Sequence, residues 1–128
     1  MNKHFTSKVL YQWSKVFTND GNLDKEKLLG FGWTIKNGKL KQLFISPCEK
    51  FLIKKSFLCY YGIPLKFSIP TRKKGCFLMQ PIALINPTVR SFAWKEIKKY
   101  KKLPQYEEVD FAIRNVGLYK EKAVLFDW

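Results

Sequence analysis

Three oxygen-bearing side chains near the C-terminal end, Asp110, Asn115 and Asp127, are spaced so that a single β-hairpin would carry them to one rim. The segment reads as a polar loop holding Asp110 and Asn115, a short strand Val116 to Tyr119, a tight turn at Lys120-Glu121-Lys122 and a second strand Ala123 to Phe126. Carboxylate and amide oxygens gathered at the ends of paired strands suit Mg²⁺, which takes one or two carboxylates together with phosphate oxygens and waters. The same residues also serve as ordinary loop and turn residues, because Asp and Asn hydrogen-bond to nearby backbone. Both readings stand at this point.

The spacing resembles that of the protein kinases. Asp110-x-x-x-x-Asn115 is similar to the catalytic loop H-R-D-x-x-x-x-N, Phe126-Asp127-Trp128 stands where D-F-G begins, and Phe51-Leu52-Ile53-Lys54 is similar to the V-A-I-K strand. The resemblance implies that Asp110 accepts the proton of an acceptor hydroxyl, that Asn115 and Asp127 hold Mg²⁺, and that Lys54 reaches the phosphates of ATP. It also has departures. Glu108-Val109 replaces His-Arg, Gly30-Phe31-Gly32 precedes the first strand instead of forming a hairpin turn, and no Asp or Glu occurs between Lys55 and Lys95 to pair with the strand lysine. With Trp128 the sequence ends before any activation segment, so efficient phosphoryl transfer is not expected of this chain alone. Read without the resemblance, Lys54 is an exposed strand lysine.

Those residues must be positioned by a body of 128 residues, long enough for one domain with a hydrophobic core. Phe5, Val9, Leu10, Trp13, Val16 and Phe17 recur at helical spacing and predict a helix over residues 4–18. A short helical turn from Leu23 to Leu29 follows. Alternating runs then predict a mostly antiparallel sheet from residues 31 to 85, opening with a hairpin at the two-residue turn Asn37-Gly38. Within it, Phe57–Tyr61 and Pro64–Ile69 read as further strands, Arg72-Lys73-Lys74-Gly75 as a cationic turn, and Cys76–Ile85 as a buried strand interrupted at Pro81. A second helix, residues 88–102, is expected to be capped by Thr88 or Ser91, with Val89, Phe92, Ala93, Ile97 and Tyr100 as its buried stripe. The fold class that results is α+β: a single domain spanning residues 1–128, with two flanking helices and a C-terminal hairpin.

Charge supplies the second functional signal. Twenty-four Lys and Arg against ten Asp and Glu give a net charge of +14, which predicts attraction to nucleic acid, an anionic membrane surface or an acidic patch on another protein. Five lysines crowd residues 95–102: Lys95, Lys98, Lys99, Lys101 and Lys102. Together with Arg72, Lys73 and Lys74 they are the candidate contacts to phosphates, with exposed Tyr or Trp side chains available to stack on bases. The expectation is a non-catalytic basic binding protein for nucleic acid or an acidic protein surface, needing no cofactor. The alternative is a miniature or split kinase-like module that uses Mg²⁺ and ATP.

Cys48, Cys59 and Cys76 are odd in number and lack C-x-x-C spacing, so free buried thiols in a reducing compartment are expected. His4 is assigned no role. The N-terminus lacks the apolar region of a signal peptide, and no run approaches the length of a membrane helix, so no membrane association and a cytoplasmic location are expected. Usage rich in Lys, Ile, Phe and Asn points to an AT-rich genome such as that of a bacteriophage or mobile element.

Overall fold

Helix α1 (Ser7–Lys15) starts where the hydroxyl of Thr6 accepts a hydrogen bond from the Val9 amide at 3.2 Å, satisfying one of the donors that a helix start leaves unpaired. Its apolar side buries Val9 and Trp13, while Lys8, Tyr11 and Lys15 face solvent. A turn over Thr18–Asn22, in which Asp20 bonds the Thr18 hydroxyl and Gly21 takes a positive φ of 85°, reverses the chain. Helix α2 (Lys25–Gly30) follows, capped by Asp24 on the Lys27 amide. In this computed structural model, residues 4–37, 42–55, 67–106 and 111–126 are described.

Two compact units make up the fold, Met1–Gly62 with Pro70–Ile82 and Ile63–Ile69 with Ala83–Trp128. The first holds a five-stranded antiparallel sheet: β1 (Thr34–Asn37), β2 (Gln42–Ile45), β3 (Phe51–Lys55), β4 (Arg72–Lys74) and β5 (Phe77–Pro81), in the order β1-β2-β3-β5-β4. Phe44, Ile53 and Met79 lie side by side across β2, β3 and β5, and with Phe51 they face Phe5, Val9, Trp13, Leu28 and Trp33 in one core. This is the expected architecture.

Its details differ from the expectation in several places. Asn37 is a strand residue paired with Gln42, not the first residue of a two-residue turn with Gly38; residues 38–41 lie outside the described residues. Arg72-Lys73-Lys74 is a strand, not a turn; Lys74 pairs with Phe77, leaving Gly75 and Cys76 as the turn, with Gly75 at φ 60°. Phe57–Tyr61 and Pro64–Lys66 lie outside the described residues. Phe67 to Ile69 belong to the second unit, and Leu84 and Ile85, expected to be buried, are exposed.

In the second unit, helix α3 (Pro87–Ile97) is capped by Asn86, whose side-chain oxygen accepts from the Val89 amide at 2.9 Å. Pro87 explains why Asn86 takes this position in preference to Thr88 or Ser91: a proline suits the first helical turn, and the residue before it is extended. Asn86→Ala is expected to lower stability by about 1 kcal/mol, measured by chemical denaturation, and an unchanged midpoint would contradict the cap. The α-helix stops at Ile97 and continues as a 3-10 turn, Lys98–Lys102.

Strands β6 (Val116–Tyr119) and β7 (Lys122–Leu125) form the expected hairpin. Its turn is the two residues Lys120 and Glu121, both at positive φ (49° and 67°), the conformation that matches the twist of paired strands. Residues 67–69 run parallel to β7, the Leu125 amide bonding the Phe67 carbonyl at 2.9 Å and the Ile69 amide bonding the Leu125 carbonyl at 3.0 Å. Leu84 lies antiparallel to β6. Phe67, Tyr100, Tyr106 and Phe111 form an aromatic cluster, Phe67 stacking on Tyr100 with ring centres 4.5 Å apart.

Candidate functional site

Lys54 is buried, only 6% exposed, which corrects the reading of it as an exposed strand lysine. Strand β3 is flanked by β2 and β5, and Lys54 stands opposite Leu43 on one side and Leu78 on the other. Alternation along the strands puts Lys54 on the same sheet face as Leu52 and Gln80 and opposite to the face bearing Ile53. Gln80 is itself buried, its amide donating to the Thr71 hydroxyl at 3.1 Å. A charged amine at such a position is costly unless it is compensated, so its retention there distinguishes Lys54 from the surface lysines.

Asn115 closes a 3-10 turn (Ile113–Asn115) at the entrance to β6 and is 4% exposed. Its backbone N–H donates to the Ala112 carbonyl at 2.9 Å, and its backbone carbonyl accepts from the Phe126 N–H at 3.0 Å. The start of β6 and the end of β7 are therefore tied together at this rim. Asp110 and Asp127 lie outside the described residues, so of the proposed Mg²⁺ set Asn115 is the member placed. Among the described residues no three His, Cys, Asp or Glu side chains gather as a metal-binding group.

The basic residues fall into two sets. On β4, Arg72 and Lys74 are exposed and share a sheet face, the Arg72 guanidinium 5.8 Å from the Phe5 ring centre and the Lys74 ammonium 4.6 Å from that of Phe17. Lys73, half-buried, alternates to the opposite face. The three cations thus do not form one patch. On α3 and its 3-10 extension, Lys95, Lys98, Lys99, Lys101 and Lys102 are all exposed. Lys99 meets Glu96 at 3.9 Å, whereas Lys95, Lys98, Lys101 and Lys102 have no ion-pair partner among the described residues. A 3-10 turn repeats every three residues, so Lys98 and Lys101 align along one edge and Lys99 and Lys102 along another, while Tyr100 packs on Phe67.

The aromatic side chains available to a ligand match the expectation only in part. Trp13 and Trp33 are buried, and Trp128 lies outside the described residues. Tyr11 is exposed, and so is Phe92, which the helical pattern assigns to the buried stripe of α3. Ala93 and Ile97 supply that stripe, so Phe92 faces solvent one turn before Glu96.

The cysteines also depart from expectation. Cys76 is disulfide-bonded, and Cys48 is a free thiol that is exposed, not buried. Partial burial pushes the Cys48 thiol up, but the Ser46 hydroxyl 3.3 Å from its sulfur, the backbone around Lys50 and the Lys50 charge outweigh this and hold it below the usual thiol range. Alkylation of Cys48 followed against pH is therefore expected to show a midpoint below that of a cysteine in a short unstructured peptide measured alongside it. A midpoint at or above that value would contradict the assignment.

These elements define a small, strongly basic α+β protein, and no described helix is long and apolar enough to cross a membrane. No protein-family model matches the chain, and neither a curated protein nor a solved structure does.

Proposed function

We propose that the protein is a non-catalytic binding protein that engages nucleic acid through the lysines of residues 95–102. The observation that carries this reading is the exposure of five lysines within eight residues while Glu96 is the single acid among them. Exposed ammonium groups without carboxylate partners gain more from displacing condensed counterions on a phosphate backbone than lysines already neutralised in ion pairs. Their arrangement along two edges of a 3-10 turn suits a polyanion better than one compact anion. The direct test is a titration of a labelled oligonucleotide at low salt, with binding expected near micromolar protein. Binding to an acidic protein surface but not to the oligonucleotide would replace nucleic acid by a protein partner.

A second reading is favoured by one specific observation, the burial of Lys54. In it the chain is a kinase-like module that binds Mg²⁺ and ATP, with Lys54 on the phosphates, Asn115 and Asp127 on the metal, and Asp110 toward an acceptor hydroxyl. The resemblance of Phe51–Lys54 and of Asp110-x4-Asn115 to the kinase motifs supports this reading, as does the tie between Asn115 and Phe126 immediately before Asp127. A ligand that binds the native state alone stabilises it by about 2.7 kcal/mol at a hundred times its Kd. Mg·ATP is accordingly expected to raise the melting temperature, and Asp127→Ala to abolish the rise. No shift at millimolar Mg·ATP would remove this reading.

A further inference from the structure

Phe92 is 52% exposed on α3, although the helix has room for an apolar stripe at Ala93 and Ile97 and uses it. An isolated exposed phenylalanine is ordinary. Half-buried Val89 lies one turn before it on the same side, but the residues that follow on that side are charged and exposed. Helical spacing puts Lys95 and Glu96 one turn beyond it and Lys99 two turns beyond it, on the same side of the helix. Arg90, half-buried, lies two residues before it, with Lys98, Lys101 and Lys102 continuing past the end of α3. Glu96 is partly answered by Lys99 at 3.9 Å, so the net charge around the ring is positive. A membrane or an apolar protein partner would call for further exposed apolar groups on this face, and the face offers lysines instead.

An exposed flat ring bordered by cations is the arrangement that holds a nucleotide strand whose bases are unpaired. The ring offers a face to a base, and the ammonium groups meet the flanking phosphates. Duplex DNA offers only phosphates and groove edges to such a surface, since its bases are stacked on one another. On this basis we infer that the α3 surface selects single-stranded nucleic acid, with Phe92 as a platform on which one base stacks and with Lys95 on the adjoining phosphate. The inference rests on the nucleic-acid reading above and names the form of nucleic acid that reading takes.

The two contributions separate in a salt titration. Removing a lysine that meets a phosphate changes the slope of log K against log salt, whereas removing a stacking ring lowers affinity at every salt concentration and leaves the slope unchanged. With a fluorescein-labelled oligo-dT, Phe92→Ala is expected to weaken binding between about 5- and 150-fold, the range for one unstacked base, along a line parallel to that of the unsubstituted protein. Phe92→Trp is expected to restore binding. Because the side chain is exposed, both variants should fold, which circular dichroism checks. If the unsubstituted protein binds oligo-dT with a steep salt dependence and Phe92→Ala binds within twofold of it, base stacking is refuted and the lysine reading survives. A Phe92→Trp protein as weak as Phe92→Ala would also refute it. If the unsubstituted protein binds no oligonucleotide at low salt, both readings fail together.

Discussion

Trp33→Ala is expected to lower the stability of the protein by about 3–5 kcal/mol, the range for truncating a large aromatic side chain in a core. Trp33 sits between α2 and β1, 2% exposed, and its indole N–H donates to the side-chain oxygen of Gln12 at 2.8 Å. Truncation removes the largest fully buried side chain of this core and leaves a cavity among the residues that pack around it. It also strands the buried Gln12 oxygen, and an unsatisfied buried acceptor costs about 1–3 kcal/mol in its own right. Total stability is of the order of 5–15 kcal/mol, so the loss is a large fraction of the whole. Trp33→Phe, which keeps most of the volume and gives up the hydrogen bond, is expected to fall between the two. Denaturant unfolding followed by circular dichroism decides the matter; a Trp33→Ala midpoint close to that of the unsubstituted protein would contradict the proposed core.

Gly117→Ala is expected to cost about 1–3 kcal/mol, the range for overpacking where rigid groups must move. A Cβ on Gly117 would lie 2.8 Å from the Leu84 carbonyl oxygen and 3.2 Å from the Ala83 Cβ. That carbonyl accepts from the Leu118 amide at 3.1 Å, and the Leu84 amide bonds the Leu118 carbonyl at 2.8 Å, so the new methyl group pushes directly on the bridge that holds β6 to residue 84. Backbone cannot step aside as the tip of a flexible side chain would. Hydrogen exchange at the Leu84 and Leu118 amides should quicken in this variant. Gly30→Ala is the internal control: nothing lies within 4 Å of the corresponding position at the end of α2, so no destabilisation is expected there.

How far these features can be read from the sequence varies with their physical origin. The buried stripe of α1, the strand around Phe51–Lys54 and the hairpin β6–β7 follow from periodicity and turn chemistry, which are local, and they stand where the pattern puts them. The Asn37–Gln42 pairing does not follow from the Asn-Gly dipeptide, because register answers to the burial of Phe44 beside Ile53 as well as to the turn. A run of three cations reads as a turn, yet Arg72–Lys74 is a strand beside β5, where Arg72 and Lys74 lie over aromatic rings. Lys54 reads as exposed because charge predicts solvent, whereas it is buried on an interior strand of the sheet. The bonded state of Cys76 has no local signal at all. Of the candidate site, residue types and spacing are legible in the sequence; the enclosure of Lys54 and Asn115 is not.

The claim that the lysines of residues 95–102 bind nucleic-acid phosphates is tested most directly by the salt dependence of binding to a single-stranded oligonucleotide, compared between the unsubstituted protein and a variant carrying Lys98→Ala, Lys99→Ala, Lys101→Ala and Lys102→Ala. All four side chains are exposed, so the variant should keep its fold. For the unsubstituted protein, log K is expected to fall linearly with log salt. In the variant the slope should be shallower by up to about 0.7 for every phosphate of the single strand no longer neutralised, and affinity at low salt should drop accordingly. Equal slopes for the two proteins, or binding that does not respond to salt, would contradict the claim.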